Sequence, residues 1–163
     1  MSEPVITIEP ISDELLAAYK HSGMERGRAG AQAIKWAFGS NPTPFAVARY
    51  EGAIVGISGY IQSSMQFGEK SGAAVQAVDS FVSETMRGKG IFTRLAGEVC
   101  GDLALTLLPF GGLYLIGGMA RAMTPHADRM GFAEAFRDKG RFGDFMARFP
   151  VTLVADDDAA LIG

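Results

Sequence analysis

A single cysteine, Cys100, stands in 163 residues, so no disulfide can close within the chain. That excludes the disulfide-stapled scaffolds of small secreted domains. Histidine is almost as scarce: His21 and His126 are the only two and lie far apart in sequence. No Cys/His set has metal-ligand spacing, so no metal site is expected. Neither histidine has an evident Ser or Cys relay partner, and each reads as a surface residue. Asp156-Asp157-Asp158 offers three adjacent carboxylates, which do not converge on a cation without further ligands. No apolar stretch reaches the roughly 18 residues that a membrane span needs. Met1-Ser2-Glu3-Pro4 lacks the basic start and apolar run of a signal peptide. The formal net charge of -3 argues against a nucleic-acid partner recruited by charge. The segment 137–141 mixes both signs and has only Phe142 as a stacking partner, which is weak ground for RNA binding. The expectation is a cytoplasmic protein with no membrane and no nucleic-acid partner.

What is present suffices for a packed core. Hydrophobic residues make up 48% and charged residues 20% of the chain, the balance of a globular protein. The length suits one compact domain over residues 1–163. Residues 5–8 alternate as a first strand. Ser12 then caps a helix whose apolar face is Leu15, Leu16 and Tyr19. Residues 31–38 read as a second helix, ended by Gly39 and Pro42. Residues 45–49 and 53–62 flank a Glu51-Gly52 turn as a β-hairpin. Residues 68–72 look like a polar loop, and 74–82 form a further apolar strand. A long helix is predicted over 91–108, with Cys100 in its core face. Pro109 to Gly112 break that helix, and residues 113–116 form a short buried strand. Helices are expected over 119–130, from Phe132 towards Gly140, and over 141–148, with a last strand at 151–155. The alternation indicates an α/β fold, a mixed sheet flanked by helices.

The most chemically pointed segment is Arg87-Gly88-Lys89-Gly90-Ile91. A strand, a Gly-rich turn and a helix start make an anion-binding arrangement. The first helical turn has unpaired N–H groups, and glycine removes the Cβ atoms that would hold a phosphate away. Arg87 and Lys89 add positive charge. A pyrophosphate suits this geometry, whereas no Gly-Lys-Ser/Thr triplet or third glycine supports the mononucleotide or dinucleotide motifs. The alternative is a surface turn carrying two solvated cations.

With its surroundings, this loop resembles the GNAT superfamily of N-acetyltransferases. The likeness rests on Phe45-Ala46-Val47-Ala48-Arg49, Ala53-Ile54-Val55-Gly56, Ala77-Val78-Asp79-Ser80-Phe81-Val82 and Met86-Arg87-Gly88-Lys89-Gly90-Ile91-Phe92; it covers about residues 5–96 and makes 1–96 an acetyltransferase-like half. It implies acetyl-coenzyme A as cofactor. The pyrophosphate would lie on Arg87, Gly88, Lys89, Gly90 and Ile91, and the pantetheine arm along the backbone of Phe81 and Val82. Phe92 departs from the family's small residue at that position, and either crowds the ligand or faces the core. Acetyl transfer needs a base and an acid. Asp79 is the only carboxylate in the central strand and the candidate base, with a hydrogen-bonded structural aspartate as the alternative. The helix at 119–130 has no tyrosine to protonate a thiolate, and Tyr114 reads as packed.

From about Ile91 onward, the chain resembles the C-terminal part of bacterial glucokinase. The matching stretches are Gly101-Asp102-Leu103-Ala104-Leu105, Phe110 to Gly118, Gly131 to Phe142, and Phe149 to Val154. The resemblance places Gly117-Gly118 against a nucleotide's adenosine. It supplies a helix-strand-helix tail over 97–163, without the family's Asp-x-Gly-Gly-Thr phosphate loop or its catalytic aspartate segment. Glucose phosphorylation is therefore not expected. Right-handed crossover geometry predicts that 113–116 docks beside 74–82 as a parallel strand, so that the tail completes an acetyltransferase-like sheet. Two functions follow. One is acetyl-coenzyme A-dependent transfer to an amine not named by the sequence. The other is a recombined, catalytically inactive chain, inhibitor-like or antitoxin-like, that acts by binding a protein partner or has no selected activity.

Overall fold

The computed structural model describes residues 3–21 and 45–156. The helix expected over 31–38 lies outside the described residues, as do Asp157 and Asp158. The fold is α/β, with a four-stranded sheet in the order β1-β2-β3-β4 and a separate two-stranded sheet of β5 and β6. The chain divides into two compact units, Met1–Ser64 with Ala73–Phe92 and Met65–Gly72 with Thr93–Gly163. No helix among the described residues is long and apolar enough to cross a membrane.

The first unit begins with β1 (Val5–Glu9) and α1 (Asp13–His21). Ser12 caps α1 as expected, its Oγ accepting from the Leu15 N–H at 3.2 Å. That satisfies one donor the helix start leaves open. β2 (Phe45–Tyr50) pairs antiparallel with β1 and with β3 (Ala53–Phe67). Glu51 (φ 50°) and Gly52 (φ 82°) form the two-residue turn whose twist matches that of the strands. Leu15 and Tyr19 of α1 pack on Phe45, Val47 and Ile57 to form the core of this unit. The Tyr19 ring meets Phe45 and Phe81 edge-on, at 6.2 and 5.8 Å. β4 (Lys70–Val82) returns along β3. The segment 68–72, expected as a loop, is instead a tight turn at Gly68 (φ 59°) with Lys70–Gly72 already in β4. Strand pairing satisfies the backbone there even though the side chains are polar.

Arg49 ties three elements of this unit together. Its Nε and Nη2 donate to Glu9 of β1, both at 2.9 Å, and Nη1 and Nη2 donate to Glu14 of α1 at 2.8 and 2.9 Å. The guanidinium holds the carboxyls of Glu9 and Glu14 below their usual value of 4.5. Carboxylates with lowered folded pKa values stabilise the fold above the unfolded value, and that stabilisation disappears as pH falls through the folded value.

The second unit is organised by α2 (Ile91–Leu107), whose residues from Thr93 onward belong to it. Gly97 and Gly101 lie one turn apart on one face of this helix. A Cβ on Gly97 would stand 2.5 Å from the Phe132 carbonyl oxygen, and one on Gly101 2.5 Å from that of Phe136. The short helix α4 (Phe132–Arg137) therefore crosses α2 backbone against backbone. Between them run β5 (Leu113–Leu115) and α3 (Gly118–Met123). The helix expected over 119–130 stops early, because Pro125 starts a 3₁₀ turn, Thr124–His126. Likewise, 141–148 is a 3₁₀ turn, Gly140–Phe142, followed by the four-residue α5 (Gly143–Met146).

β5 and β4 belong to different sheets, which corrects the expected parallel pairing. β5 pairs in parallel with β6 (Val151–Leu153), in register Leu113↔Val151 and Leu115↔Leu153. Flanking bonds from Leu113 N–H to Pro150 O and from Val154 N–H to Leu115 O, at 2.8 and 2.9 Å, extend this ladder. The tail carries its own partner strand with the same apolar alternation, so the backbone of β5 is satisfied locally.

Two predictions follow from this packing. Gly101→Ala should destabilise the protein by about 3 kcal/mol in urea unfolding, because the methyl group meets the Lys139 side chain and also the Phe136 carbonyl, which cannot swing away. Arg49→Met should lower the melting midpoint at pH 7 by a few degrees. That difference should shrink below pH 4.5 as Glu9 and Glu14 become protonated in the parent protein.

Candidate functional site

The connection from β4 to α2 is anchored at both ends. Ser83 N–H donates to Val55 O at 2.8 Å, fastening the end of β4 to β3. A 3₁₀ turn, Glu84–Met86, follows and buries Met86. At the other end, Ile91 is buried and opens α2. Gly56 makes this junction tight: a Cβ there would stand 3.0 Å from Ile91 Cγ2 and 3.4 Å from Phe81 O.

Between these anchors, Gly88 and Gly90 both have φ 74°, a left-handed conformation that glycine adopts without steric cost. Left-handed residues alternating with ordinary ones turn successive N–H groups towards a common anion. Among the described residues, the backbone N–H groups of Gly88, Lys89, Gly90 and Ile91 meet no acceptor. The helix start adds partial positive charge.

The two cations of the loop are lightly held. Lys89 Nζ lies 3.4 Å from Met86 Sδ and has no carboxylate partner among the described residues. Arg87 Nε donates to Val82 O at 3.2 Å, and its Nη1 lies 3.6 Å from Glu84 with both side chains mostly exposed. Such a surface pair contributes little, so a polyanion can redirect Arg87. Phe92, the large residue at a position expected to be small, is half-buried. Ser83 Oγ is buried with no hydrogen-bond partner among the described residues, which costs about 1–3 kcal/mol unless a ligand or water satisfies it.

Asp79 sits within β4 at φ 48°, a left-handed residue inside a strand. Such a residue interrupts the ladder as a bulge does. The Tyr19 hydroxyl donates to the Asp79 carbonyl at 2.9 Å. Burial, and then the nearby Asp79 charge, push the Tyr19 phenol up, so it remains protonated. Phe81 and Val82 follow, half-buried, on an edge strand of the sheet.

Asp79, Phe81, Val82, Arg87, Gly88, Lys89, Gly90 and Ile91 therefore lie along one continuous strand end and loop in the first unit. Sequence reasoning missed Tyr19 as the support of Asp79, because the two are 60 residues apart. It also missed Ser83 and Gly56, whose roles depend on a neighbouring strand. In the second unit, Gly117 (φ 96°) precedes the six-residue α3 and has open space at its Cβ position. Tyr114, expected to be packed, is 62% exposed. It points away from the face of Leu113 and Leu115, and its hydroxyl donates to Gly111 O at 3.1 Å. His126 Nδ1 accepts from Arg129 Nη2 at 2.9 Å. Cys100 is partly buried, and burial pushes its thiol up to about 12, which disfavours the nucleophilic thiolate.

The comparisons with known proteins place this α/β chain in a family of sugar kinases by sequence. The glucokinase family model matches residues 57–163. The chain belongs to the glucokinase family. The match begins well upstream of Ile91, where the resemblance read from sequence starts. The chain is 31% identical over 149 residues to the glucokinase of Aromatoleum aromaticum, covering 91% of this chain and 40% of that protein. It is 40% identical over 77 residues to the glucokinase of Salmonella arizonae, covering 47% of this chain and 24% of the relative. It is 38% identical over 93 residues to that of Synechocystis, covering 57% and 25%. The chain thus spans well under half the length of these curated relatives. Among solved structures, it is similar to the ribosomal-protein-alanine N-acetyltransferase of Brucella melitensis biovar Abortus. The TM-score is 0.45 and the identity 21%, over 64% of this chain and 74% of that one.

Folded protein at pH 8 should resist alkylation of Cys100 by iodoacetamide over hours, whereas urea-unfolded protein should be modified within minutes. Mass spectrometry of the quenched samples reads the difference.

Proposed function

We propose that the chain binds acetyl-coenzyme A and acts as an N-acetyltransferase on an amine. The observation that carries this reading is the run of four backbone donors, Gly88 to Ile91, which meet no acceptor among the described residues. They lead into a 17-residue helix that Ile91 opens, and the loop carries the side chains of Arg87 and Lys89. A pyrophosphate satisfies those donors and brings two charges to the loop. The pantetheine amides would pair with the backbone of Phe81 and Val82 on the open edge of β4. Ser83 Oγ would gain a partner near the same strand end.

In the transfer, the amine nitrogen attacks the thioester carbonyl, the C–S bond breaks, and coenzyme A leaves as a thiolate that takes up a proton. Asp79 is the carboxylate this reading assigns to accept the proton the amine loses. The Tyr19 hydrogen bond fixes its backbone, so Tyr19 is a positioning residue. Glucose phosphorylation is outside this proposal, since nothing in the chain matches the phosphate loop of that chemistry.

A second reading, a catalytically inactive protein that works by binding a protein partner, is favoured by a different observation. Leu107, Leu108, Phe110 and Tyr114 expose large apolar surfaces within eight sequence positions, the kind of surface that an interface covers.

Isothermal titration with acetyl-coenzyme A separates the two. Micromolar binding is expected for the parent protein. Gly90→Glu, which forces a side chain into a left-handed position and adds negative charge, should weaken binding at least about a hundredfold. Lys89→Gln, which leaves the backbone unstrained, should weaken it about tenfold. No binding by folded parent protein would sink the acetyltransferase reading and leave the protein-binding one.

A further inference from the structure

The second unit contains a cavity of about 390 Å³ that the loop at 87–91 does not share. Its walls are the rings of Phe132, Phe136 and Phe149, the thioethers of Met123 and Met146, and Leu115. Phe132 and Phe136 present parallel faces, 6.2 Å apart and 11° from coplanar. The volume falls at the small end of the roughly 300–1,000 Å³ range of ligand pockets. Parallel rings and polarizable sulfur suit a flat apolar group.

Asp128, Arg137 and Thr124 also line this cavity. Asp128 and Arg137 are exposed, and among the described residues neither is paired, with each other or with any other group. Two neighbouring cations are already engaged, Arg129 with His126 and Lys139 with Glu98 and Asp102. Thr124 Oγ1 donates to Ala120 O at 2.7 Å, so its lone pairs are what it offers a ligand.

We infer that this cavity binds a small zwitterion with an aromatic body, of the class of aromatic α-amino acids. The ring lies among the phenylalanines, the carboxylate pairs with Arg137, and the ammonium pairs with Asp128 and the Thr124 hydroxyl. A ligand carrying only an anion gains Arg137 but meets the Asp128 charge. One carrying only a cation has the opposite problem. A molecule bearing both charges at one end of a flat apolar group satisfies the lining as it stands.

The probe is L-phenylalanine, titrated calorimetrically into the full chain alongside phenylacetate and phenethylamine. Saturable binding of L-phenylalanine is expected, at least about tenfold tighter than either singly charged analogue. Arg137→Gln should weaken L-phenylalanine about tenfold and remove its advantage over phenethylamine. Asp128→Asn should remove its advantage over phenylacetate. Both side chains are exposed, so neither change threatens folding. Ala133→Trp, which fills the cavity from α4, should abolish binding while the circular dichroism spectrum stays that of the parent. No saturable binding of L-phenylalanine by the folded parent protein would overturn the inference. Equal affinities for the three probes, or affinities unchanged in both exposed variants, would overturn it as well.

Discussion

The backbone contact at Gly97 and Gly101 governs how the second unit is built. The Phe132 and Phe136 carbonyl oxygens occupy the space where side chains on α2 would stand, so α4 lies against α2 at a distance that only glycine allows. That approach also lets Lys139, beyond the end of α4, reach across to α2. Its side chain is 5% exposed, and its ammonium is bonded to Glu98 Oε1 at 2.7 Å, Asp102 Oδ1 at 2.9 Å and the Glu98 carbonyl at 3.2 Å. A buried ammonium without partners would cost several kcal/mol, and here three acceptors on one helix face offset its desolvation. Apolar contact and ion pair are two consequences of the same pair of glycines. The phenylalanine-lined cavity depends on them too, because α4 supplies Phe132 and Phe136.

In the first unit the comparable constraint is a left-handed residue inside a strand. Asp79 takes a left-handed conformation inside β4, and Tyr19 secures its carbonyl from α1. A non-glycine residue keeps such a conformation only where its surroundings hold it there, and the edge-on contacts of Tyr19 with Phe45 and Phe81 provide that hold. The strand end beyond the irregularity leads directly into the loop of unpaired N–H groups. The packing of α1 on the sheet thus reaches the strand that leads into the loop at 87–91 through a single hydroxyl.

Ancestry and chemistry point in different directions along the same residues. The glucokinase match over 57–163 includes the loop at 87–91, yet the proposed function uses the backbone donors of that loop to hold a pyrophosphate. A family assigns descent, whereas activity depends on which donors and charges converge. Here the convergent groups are backbone amides, which many sequences can supply at a Gly-rich helix start.

Much of this protein was legible without coordinates. The period of Leu15, Leu16 and Tyr19, the Ser12 cap, the Glu51-Gly52 turn and the Gly-Lys-Gly loop before a long helix are local features, settled within a few residues by steric and hydrogen-bond rules. The boundaries that local pattern misjudged were those where one residue type misled. Polar side chains at 68–72 concealed continuous strand pairing, and apolar periodicity past Pro125 concealed the missing N–H that ends α3. Tertiary structure alone decided the partner of β5, the exposure of Tyr114, the left-handed Asp79 with its distant Tyr19, and the two charges at the phenylalanine-lined cavity that are unpaired among the described residues. Each is a relation between residues far apart in the chain, and only packing determines which distant groups meet.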